Sequence, residues 1–172
     1  MPTLYLLRHC KAVTGEPETN DFGRKLSARG QREGEAIGAI IGRKEPKPRL
    51  ALCSPSRRTV DTLALVVPQL GADIEVRYAH RLYLADAAAL LEIIHELEGA
   101  REALLLVGHN PGLEQLALDL TRQADRGGAA YRAMREKFPT AGLAILDMEG
   151  SCWESVRHGR LLNFATPKGE IA

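Results

Sequence analysis

The feature that most limits the fold of this chain is an uninterrupted apolar run at residues 103–107, Ala-Leu-Leu-Leu-Val, between Glu102 and Gly108. A strand that is apolar on both sides must be covered on both faces, which is typical of the central parallel strands of α/β proteins. The sequence therefore predicts an α/β domain in three layers, with a mostly parallel central sheet and helices on both of its faces.

A second strand of the same design is predicted near the start of the chain. Residues 3–8 run through Leu-Tyr-Leu-Leu into Arg8 and are followed by His9, just as the run at 103–107 is followed by Gly108 and His109. In open α/β sheets, ligands bind beyond the carboxyl ends of the strands. We therefore expect Arg8, His9 and His109 to meet at one edge of the sheet.

Size and charge narrow the range of functions. The 172 residues suit a single domain covering residues 1–172. Lys and Arg number 23 against 22 Asp and Glu, so a net charge of +1 provides no overall field that would attract nucleic acid or a membrane surface. A local cluster of cations must therefore bind any anion. No apolar run approaches the roughly 20 residues of a membrane-spanning helix.

The cysteines indicate a reducing compartment. Cys10, Cys53 and Cys152 cannot all pair, and their spacing is unlike that of metal ligands. Residues 1–7 are too short for a signal peptide, whose apolar region alone takes about 7–15 residues. We therefore predict a cytoplasmic protein that uses no metal and no other cofactor. The sequence leaves its oligomeric state open.

An anion-binding element is predicted at residues 54–62, Ser-Pro-Ser-Arg-Arg-Thr-Val-Asp-Thr, after a predicted strand at 49–53. Ser54 suits a helix N-cap and Pro55 the first helical position. The unpaired N–H groups of such a helix start attract anions, and Arg58, one turn further, would reach the same anion. The apolar pattern predicts a helix buried nearly all round, so it does not distinguish Arg58 from Arg57.

Other segments carry structural predictions only. Ser27 is predicted to cap a helix that ends near residue 43, and Asp86 to cap a helix over residues 86–98. A turn at 149–151 is predicted to join strand 143–148 to a partner at 153–157 in a hairpin. No role is assigned to His80, His95 or His158.

Three short motifs, each after a predicted strand, resemble those of the histidine phosphatase superfamily. Residues 8–12, Arg-His-Cys-Lys-Ala, resemble its Arg-His-Gly signature, and resemble more closely the Arg-His-Ala-Lys-Ala of small SixA-type phosphohistidine phosphatases. The later motifs are Ser-Pro-x-x-Arg-x-x-x-Thr at 54–62 and Gly-His-x-Pro at 108–111. The resemblance covers nearly the whole chain and implies the fold shared with phosphoglycerate mutases.

The resemblance also implies roles for the matched residues. His9 would be the nucleophile that accepts the phosphoryl group, and Arg58 the substrate-binding arginine. Arg8 and His109 would hold the phosphoryl oxygens. On chemical grounds, the second imidazole can bind an oxyanion in its protonated form, so we expect His109 to be protonated. Arg24, in a segment that resembles the family's Arg-Pro-Leu-Thr-x-x-Gly, would make an outer contact with the substrate.

Cys10 departs from the superfamily, which has glycine at this position. A thiol beside the nucleophile suggests that oxidation of Cys10 silences His9. His9-Cys10 also matches the start of a cysteine-phosphatase loop, His-Cys-x₅-Arg, but the position of the required arginine holds Glu16. A carboxylate would repel the phosphate there, so this alternative is rejected.

Arg8, His9, Arg58 and His109 are chemically sufficient for phosphoryl transfer without a metal. The segment 78–86 offers Asp86 as its one carboxylate that could act as a general acid for the leaving group. Helix capping explains Asp86 equally well. An alkoxide leaving group needs a proton, whereas a phosphohistidine releases a neutral imidazole. The sequence therefore predicts a phosphatase with a covalent phosphohistidine intermediate that acts on a phosphohistidine of a protein. Two alternatives stay open: a small-molecule phosphomonoesterase with the same pocket, and a non-catalytic phosphate- or phosphoprotein-binding module.

Overall fold

The computed structural model describes residues 1–15, 20–71, 73–99 and 102–172. Its strands are β1 (Thr3–Arg8), β2 (Leu50–Cys53), β3 (Glu75–Tyr78), β4 (Ala103–Gly108), β5 (Leu143–Met148), β6 (Gly159–Thr166) and β7 (Gly169–Ile171). Its α-helices are α1 (Ala28–Gly42), α2 (Arg57–Val66), α3 (Ala87–His95), α4 (Gly112–Leu120) and α5 (Ala129–Glu136). The strands form one sheet in the order β3-β2-β4-β1-β5-β6-β7.

The three-layer α/β prediction is confirmed. Strands β3, β2, β4 and β1 are parallel neighbours, and β5, β6 and β7 extend the sheet in antiparallel pairs. All six residues of β4 are buried, as its apolar run predicted. Helices α1 and α2 cover the face that holds Tyr5 and Leu7, and α3, α4 and α5 cover the face that holds Leu4 and Leu6.

Two predicted helix caps are present. The Ser27 hydroxyl accepts a hydrogen bond from the Gly30 N–H at 3.1 Å, and the Asp86 carboxylate accepts one from the Ala89 N–H at 2.8 Å. Helix α3 ends earlier than predicted, at His95 rather than residue 98.

The predicted start of α2 is wrong. Its N-cap is Ser56, not Ser54, and the helix begins at Arg57. Ser54 still belongs to the sheet, because its N–H donates to the Val107 carbonyl at 3.1 Å and so continues the pairing of β2 with β4. The helix is also not buried all round: one face is buried and Arg57 is exposed.

The predicted hairpin at residues 143–157 is wrong as well. Strand β5 pairs with β6, which begins at Gly159. The buried Trp153 and Val156 that suggested a strand belong to a single 3₁₀ turn and its end. Their spacing of three fits a helical turn, whereas a strand buries every second residue. In the described part of the chain, no helix has the length and apolar character needed to cross a bilayer.

The start of α1 is packed against the main chain that follows β1. The Ser27 N–H donates to the Lys11 carbonyl at 2.9 Å. A Cβ on Gly30 would lie 2.1 Å from that same carbonyl oxygen. Only glycine therefore fits where the helix approaches the chain two residues beyond His9.

We expect Gly30→Ala to lower the free energy of unfolding by about 1–3 kcal/mol, since a backbone carbonyl must move to admit the methyl group. Gly127→Ala is the matched control, because a Cβ there would meet nothing within 4 Å. Urea denaturation of both variants measures the difference. Equal stabilities of the two variants would contradict the contact.

Candidate active site

The two histidines of the motifs meet at one edge of the sheet. Strands β1 and β4 pair in parallel, with Arg8 opposite Gly108, so His9 and His109 leave the sheet side by side. The His9 N–H donates to the Gly108 carbonyl at 3.1 Å, and the imidazole centroids of the two residues lie 5.4 Å apart. The expectation drawn from the two apolar strands is confirmed.

The hydrogen bond of His9 fixes its tautomer. Its Nδ1 lies 2.8 Å from the Cys10 carbonyl oxygen, which can only accept, so Nδ1 carries the hydrogen. The Nε2 atom therefore keeps its lone pair, and none of the described residues hydrogen-bonds to it. Burial foremost, and then the charges of Arg58 and Arg8, lower the pKa of His9 to about 4. At neutral pH the imidazole is neutral.

Arg58 is the buried arginine of α2, with 2% of its surface exposed. Its Nη2 lies 3.3 Å from His109 Nδ1, and its Nη1 donates to the Asp21 carbonyl at 2.7 Å. Arg57 is exposed and pairs with Asp61 at 2.8 Å. The geometry thus makes the choice between the two arginines that the apolar pattern left open.

Arg8 approaches the same place from the end of β1. Its Nη1 donates to the Phe138 carbonyl at 2.8 Å. The Nε–H groups of Arg8 and of Arg58 are both buried without a partner among the described residues. A buried guanidinium and a half-buried one, both with unused donors, lie beside two imidazoles and form a site suited to a multiply charged oxyanion.

His109 is held between a hydroxyl and a guanidinium. Because Arg58 can only donate, His109 Nδ1 accepts from it, and Nε2–H donates to the Ser54 hydroxyl at 2.7 Å. Burial foremost, and then the charge of Arg58, lower the pKa of His109 to about 3. The imidazole of His109, which we expect to be protonated when it binds an oxyanion, is therefore neutral in this arrangement.

The serine and threonine of the second motif support the histidines. Ser54, which the sequence suggested as a helix cap, accepts the hydrogen bond of His109 instead. The Thr62 hydroxyl accepts a hydrogen bond from the Cys10 N–H at 2.9 Å and so positions the main chain beside the nucleophile candidate. The motif therefore serves both histidine-bearing loops.

Arg24 does not contact the imidazoles. It donates to the Asp21 carboxylate at 2.9 Å and to the Val13 carbonyl at 3.2 Å. Asp21 stands between Arg24 and Arg58, whose Nη2 lies 3.1 Å from the Asp21 carboxylate. Arg24 is thus linked to Arg58 through Asp21, which agrees with the outer position that the resemblance implies for it.

Sequence reasoning missed Asp21 and Tyr83. The Tyr83 hydroxyl donates to the Asp21 carboxylate, and its ring lies edge-on to the His109 ring with centroids 5.4 Å apart. The hydrogen bond from Tyr83, followed by those from Arg24 and Arg58, lowers the pKa of Asp21 well below its usual range. Asp21 follows a 3₁₀-turn N-cap, Asn20, but nothing local shows that it reaches Arg58.

An aromatic rim surrounds this cluster. The Phe22 ring meets the Tyr83 ring edge to face at 5.0 Å and stacks on the His80 ring at 5.9 Å. His80, which has no predicted role, therefore lies at the rim. The Asp86 carboxylate caps α3, which agrees with its capping interpretation.

Cys10 is a core residue. Its side chain is fully buried in a small cluster with Leu26 and Ala141, and burial raises the pKa of its thiol to about 12. A thiol that is neither ionised nor exposed reacts slowly with oxidants, so the structure argues against oxidative silencing of His9. Among the described residues, no group of three or more His, Cys, Asp or Glu side chains is placed to hold a metal ion.

Comparison with known proteins identifies the class. No protein-family model matches the sequence. An uncharacterized protein of Mycobacterium tuberculosis is 34% identical over 164 residues, covering 94% of this chain and all of its own. The solved SixA structures from Agrobacterium tumefaciens and Nakamurella multipartitia, both provisionally assigned as phosphohistidine phosphatases, superpose with TM-scores of 0.81 and 0.82.

The Agrobacterium protein is 30% identical, with 96% of this chain and 98% of that one covered. The Nakamurella protein is 26% identical, with 96% of each chain covered. The chain belongs to the histidine phosphatase superfamily. Within that superfamily it is of the SixA type.

The low pKa of His9 gives a direct prediction. Its C–H resonances should not shift between about pH 5 and 8, because a group with a pKa near 4 stays neutral throughout that window. NMR titration, with the resonance assigned by its loss in His9→Ala, measures this. A midpoint near that of an ordinary histidine would show that the burial and charge argument is wrong.

The two adjacent arginines of α2 form a matched pair for testing anion binding. We expect Arg58→Ala to weaken binding of vanadate by about 10²-fold, because a buried cation at the site is lost. Arg57→Ala should leave vanadate affinity unchanged, since Arg57 is exposed and pairs with Asp61. Calorimetric titration measures both, and thermal melting checks that each variant folds. Equal losses in the two variants would contradict the assignment.

Proposed function

We propose that this protein is a phosphatase that works without a metal, through a covalent phosphohistidine formed on His9. The observation that carries the proposal is the hydrogen bond from His9 Nδ1 to the Cys10 carbonyl. It holds the imidazole as the tautomer whose Nε2 lone pair is available, and the low pKa keeps that lone pair unprotonated at neutral pH.

The proposed reaction has two steps. The Nε2 lone pair of His9 forms a bond to phosphorus while the bond to the leaving group breaks, and the leaving group takes that electron pair. Water then attacks the phosphohistidine, the electrons of the P–N bond return to His9 Nε2, and the protons of the water leave with the released phosphate. Arg8 and Arg58 neutralise the phosphoryl oxygens in both steps.

His109 changes its protonation in this scheme. A phosphoryl dianion beside His109 would oppose the effect of Arg58 and raise the pKa of the imidazole. His109 Nδ1 could then donate to a phosphoryl oxygen while Nε2–H keeps its bond to Ser54. In this scheme, His109 therefore becomes protonated when the substrate binds.

The leaving group is best assigned as an imidazole. Of the carboxylates among the described residues, Asp21 is ion-paired with a pKa held far below neutrality, Asp86 caps α3, and Glu114 accepts a hydrogen bond from Asn110 at 2.8 Å. Because all three are engaged in these contacts, none is a free general acid for an alkoxide, whereas an imidazole leaves without that help. This supports phosphohistidine on a protein as the substrate. The free thiols of Cys10, Cys53 and Cys152 fit the cytoplasm.

Two alternatives share the same pocket. A small-molecule phosphomonoesterase would turn over an alkyl phosphate as well as a phosphohistidine peptide. A non-catalytic phosphate- or phosphoprotein-binding module would bind phosphate and never form a bond to it. The neutral His9 nucleophile argues against the module, because binding alone has no need of an available lone pair.

Trapping the intermediate tests the proposal. After incubation with a labelled phosphoryl donor and a quench in base, we expect the label on His9 by mass spectrometry, and no label in His9→Ala. Phosphate binding without any label would favour the binding module. A label on another residue would show that the nucleophile is assigned wrongly.

The same preparation separates the substrates. We expect kcat/KM for a phosphohistidine peptide to exceed that for an alkyl phosphate by at least about 10²-fold, the scale on which a general acid contributes. Comparable values would favour the small-molecule phosphomonoesterase and would imply that the site contains a general acid for the leaving group.

A further inference from the structure

A basic groove lies beside the catalytic pocket. It has a volume of about 670 Å³ and runs between α1, the segment 137–140 and the turn at 166–168. Four cationic side chains and one carboxylate line it, together with small and hydroxylated residues; the charged ones are Arg29, Arg32, Lys137, Lys168 and Glu33. A net charge of +1 for the whole chain makes this a strong local excess of positive charge.

Three of these cations have no carboxylate partner. No described carboxylate pairs with Arg32, Lys137 or Lys168, and all three are exposed. Arg29 does pair with Glu33, at 2.8 Å, but that carboxylate is buried and also accepts a hydrogen bond from the Lys11 N–H at 2.8 Å. The groove therefore keeps an excess of positive charge that a bound anion would neutralise.

The groove shares a wall with the catalytic pocket. The Phe138 carbonyl accepts the hydrogen bond of Arg8, and the Ala141 N–H donates to the His9 carbonyl at 3.1 Å. Pro139 and Thr140, which lie between these two residues, line the groove. The segment 138–141 therefore contacts both the candidate site and the groove, which brings a peptide bound at the site close to the groove.

The lining favours a peptide. None of the described residues that line the groove is aromatic, so a nucleobase would have no ring on which to stack. The cations are exposed rather than buried, and the remaining walls are prolines, an alanine and threonine hydroxyls. Such surfaces contact an extended chain through its charges and its main chain, and they contribute to association more than to chemistry.

We propose that the groove binds an acidic segment of the phosphorylated protein substrate while the phosphohistidine occupies the pocket of His9. This inference rests on the proposed function and extends it, because it states which feature of the substrate, besides the phosphoryl group, the enzyme recognises. Charge complementarity of this kind lowers KM and leaves kcat unchanged, and it weakens as salt screens the charges.

Two phosphohistidine peptides test this inference: one has four glutamates on each side of the phosphohistidine, and the other has glutamines there. We expect kcat/KM for the acidic peptide to be about tenfold higher at low salt, entirely through KM. The double variant Arg32→Glu/Lys168→Glu should abolish that advantage without changing kcat for either peptide or for an aryl phosphate. Arg135→Glu is the control, since Arg135 is exposed and is not part of the groove lining.

A binding measurement separates failure of the groove from failure of the proposed function. The unphosphorylated acidic peptide, fluorescently labelled, should bind the native protein and should lose that binding in the double variant, whatever the enzyme's activity. Equal turnover of the two phosphopeptides, or peptide binding unaffected by Arg32→Glu/Lys168→Glu, would overturn the inference. Binding of tripolyphosphate but not of the peptide at the same cations would also overturn it, in favour of a small-anion site. Absence of turnover of both phosphopeptides, with groove binding intact, would count against the proposed function alone.

Discussion

The site depends on the register between β1 and β4. With Arg8 opposite Gly108, the first residue after each strand is a histidine, and the main chain itself sets the distance between the imidazoles. A one-residue slip would direct every side chain of β1 to the other face, exchanging Leu4 and Leu6 with Tyr5 and Leu7. Packing on both faces of the sheet therefore also fixes the geometry of the pocket.

Much of this arrangement was predictable because it follows from short-range patterns. Apolar strands ending in histidine gave the central sheet, its layers and the meeting of His9 with His109. The errors arose where a residue suited to a local role was used at long range. Ser54 has the chemistry of a helix cap, but His109, 55 positions away, takes its hydroxyl. Trp153 and Val156 were apolar enough for a strand, but their spacing belongs to a turn.

The least predictable part is the cluster that surrounds Arg58. Asp21 and Tyr83 are 62 residues apart, and they meet because the loop before α1 folds over the start of α2. Burial lowers the pKa of His9 more than any charge does, and Arg58 contributes before Arg8, its neighbour in the sequence. A sequence shows which charges are present but not how deeply they are buried.

Because Arg58 is ion-paired with Asp21, an anion that binds Arg58 must compete with a carboxylate of the protein itself. A ligand with a single carboxylate would form with Arg58 the same kind of ion pair that Asp21 already forms, so it would gain little by replacing Asp21. A phosphoryl group brings two charges and three oxygens, enough to engage Arg8, Arg58 and His109 at once. Asp21 thus competes with incoming anions for Arg58. Under the proposed function, this competition would favour a phosphoryl group over organic acids that carry a single carboxylate.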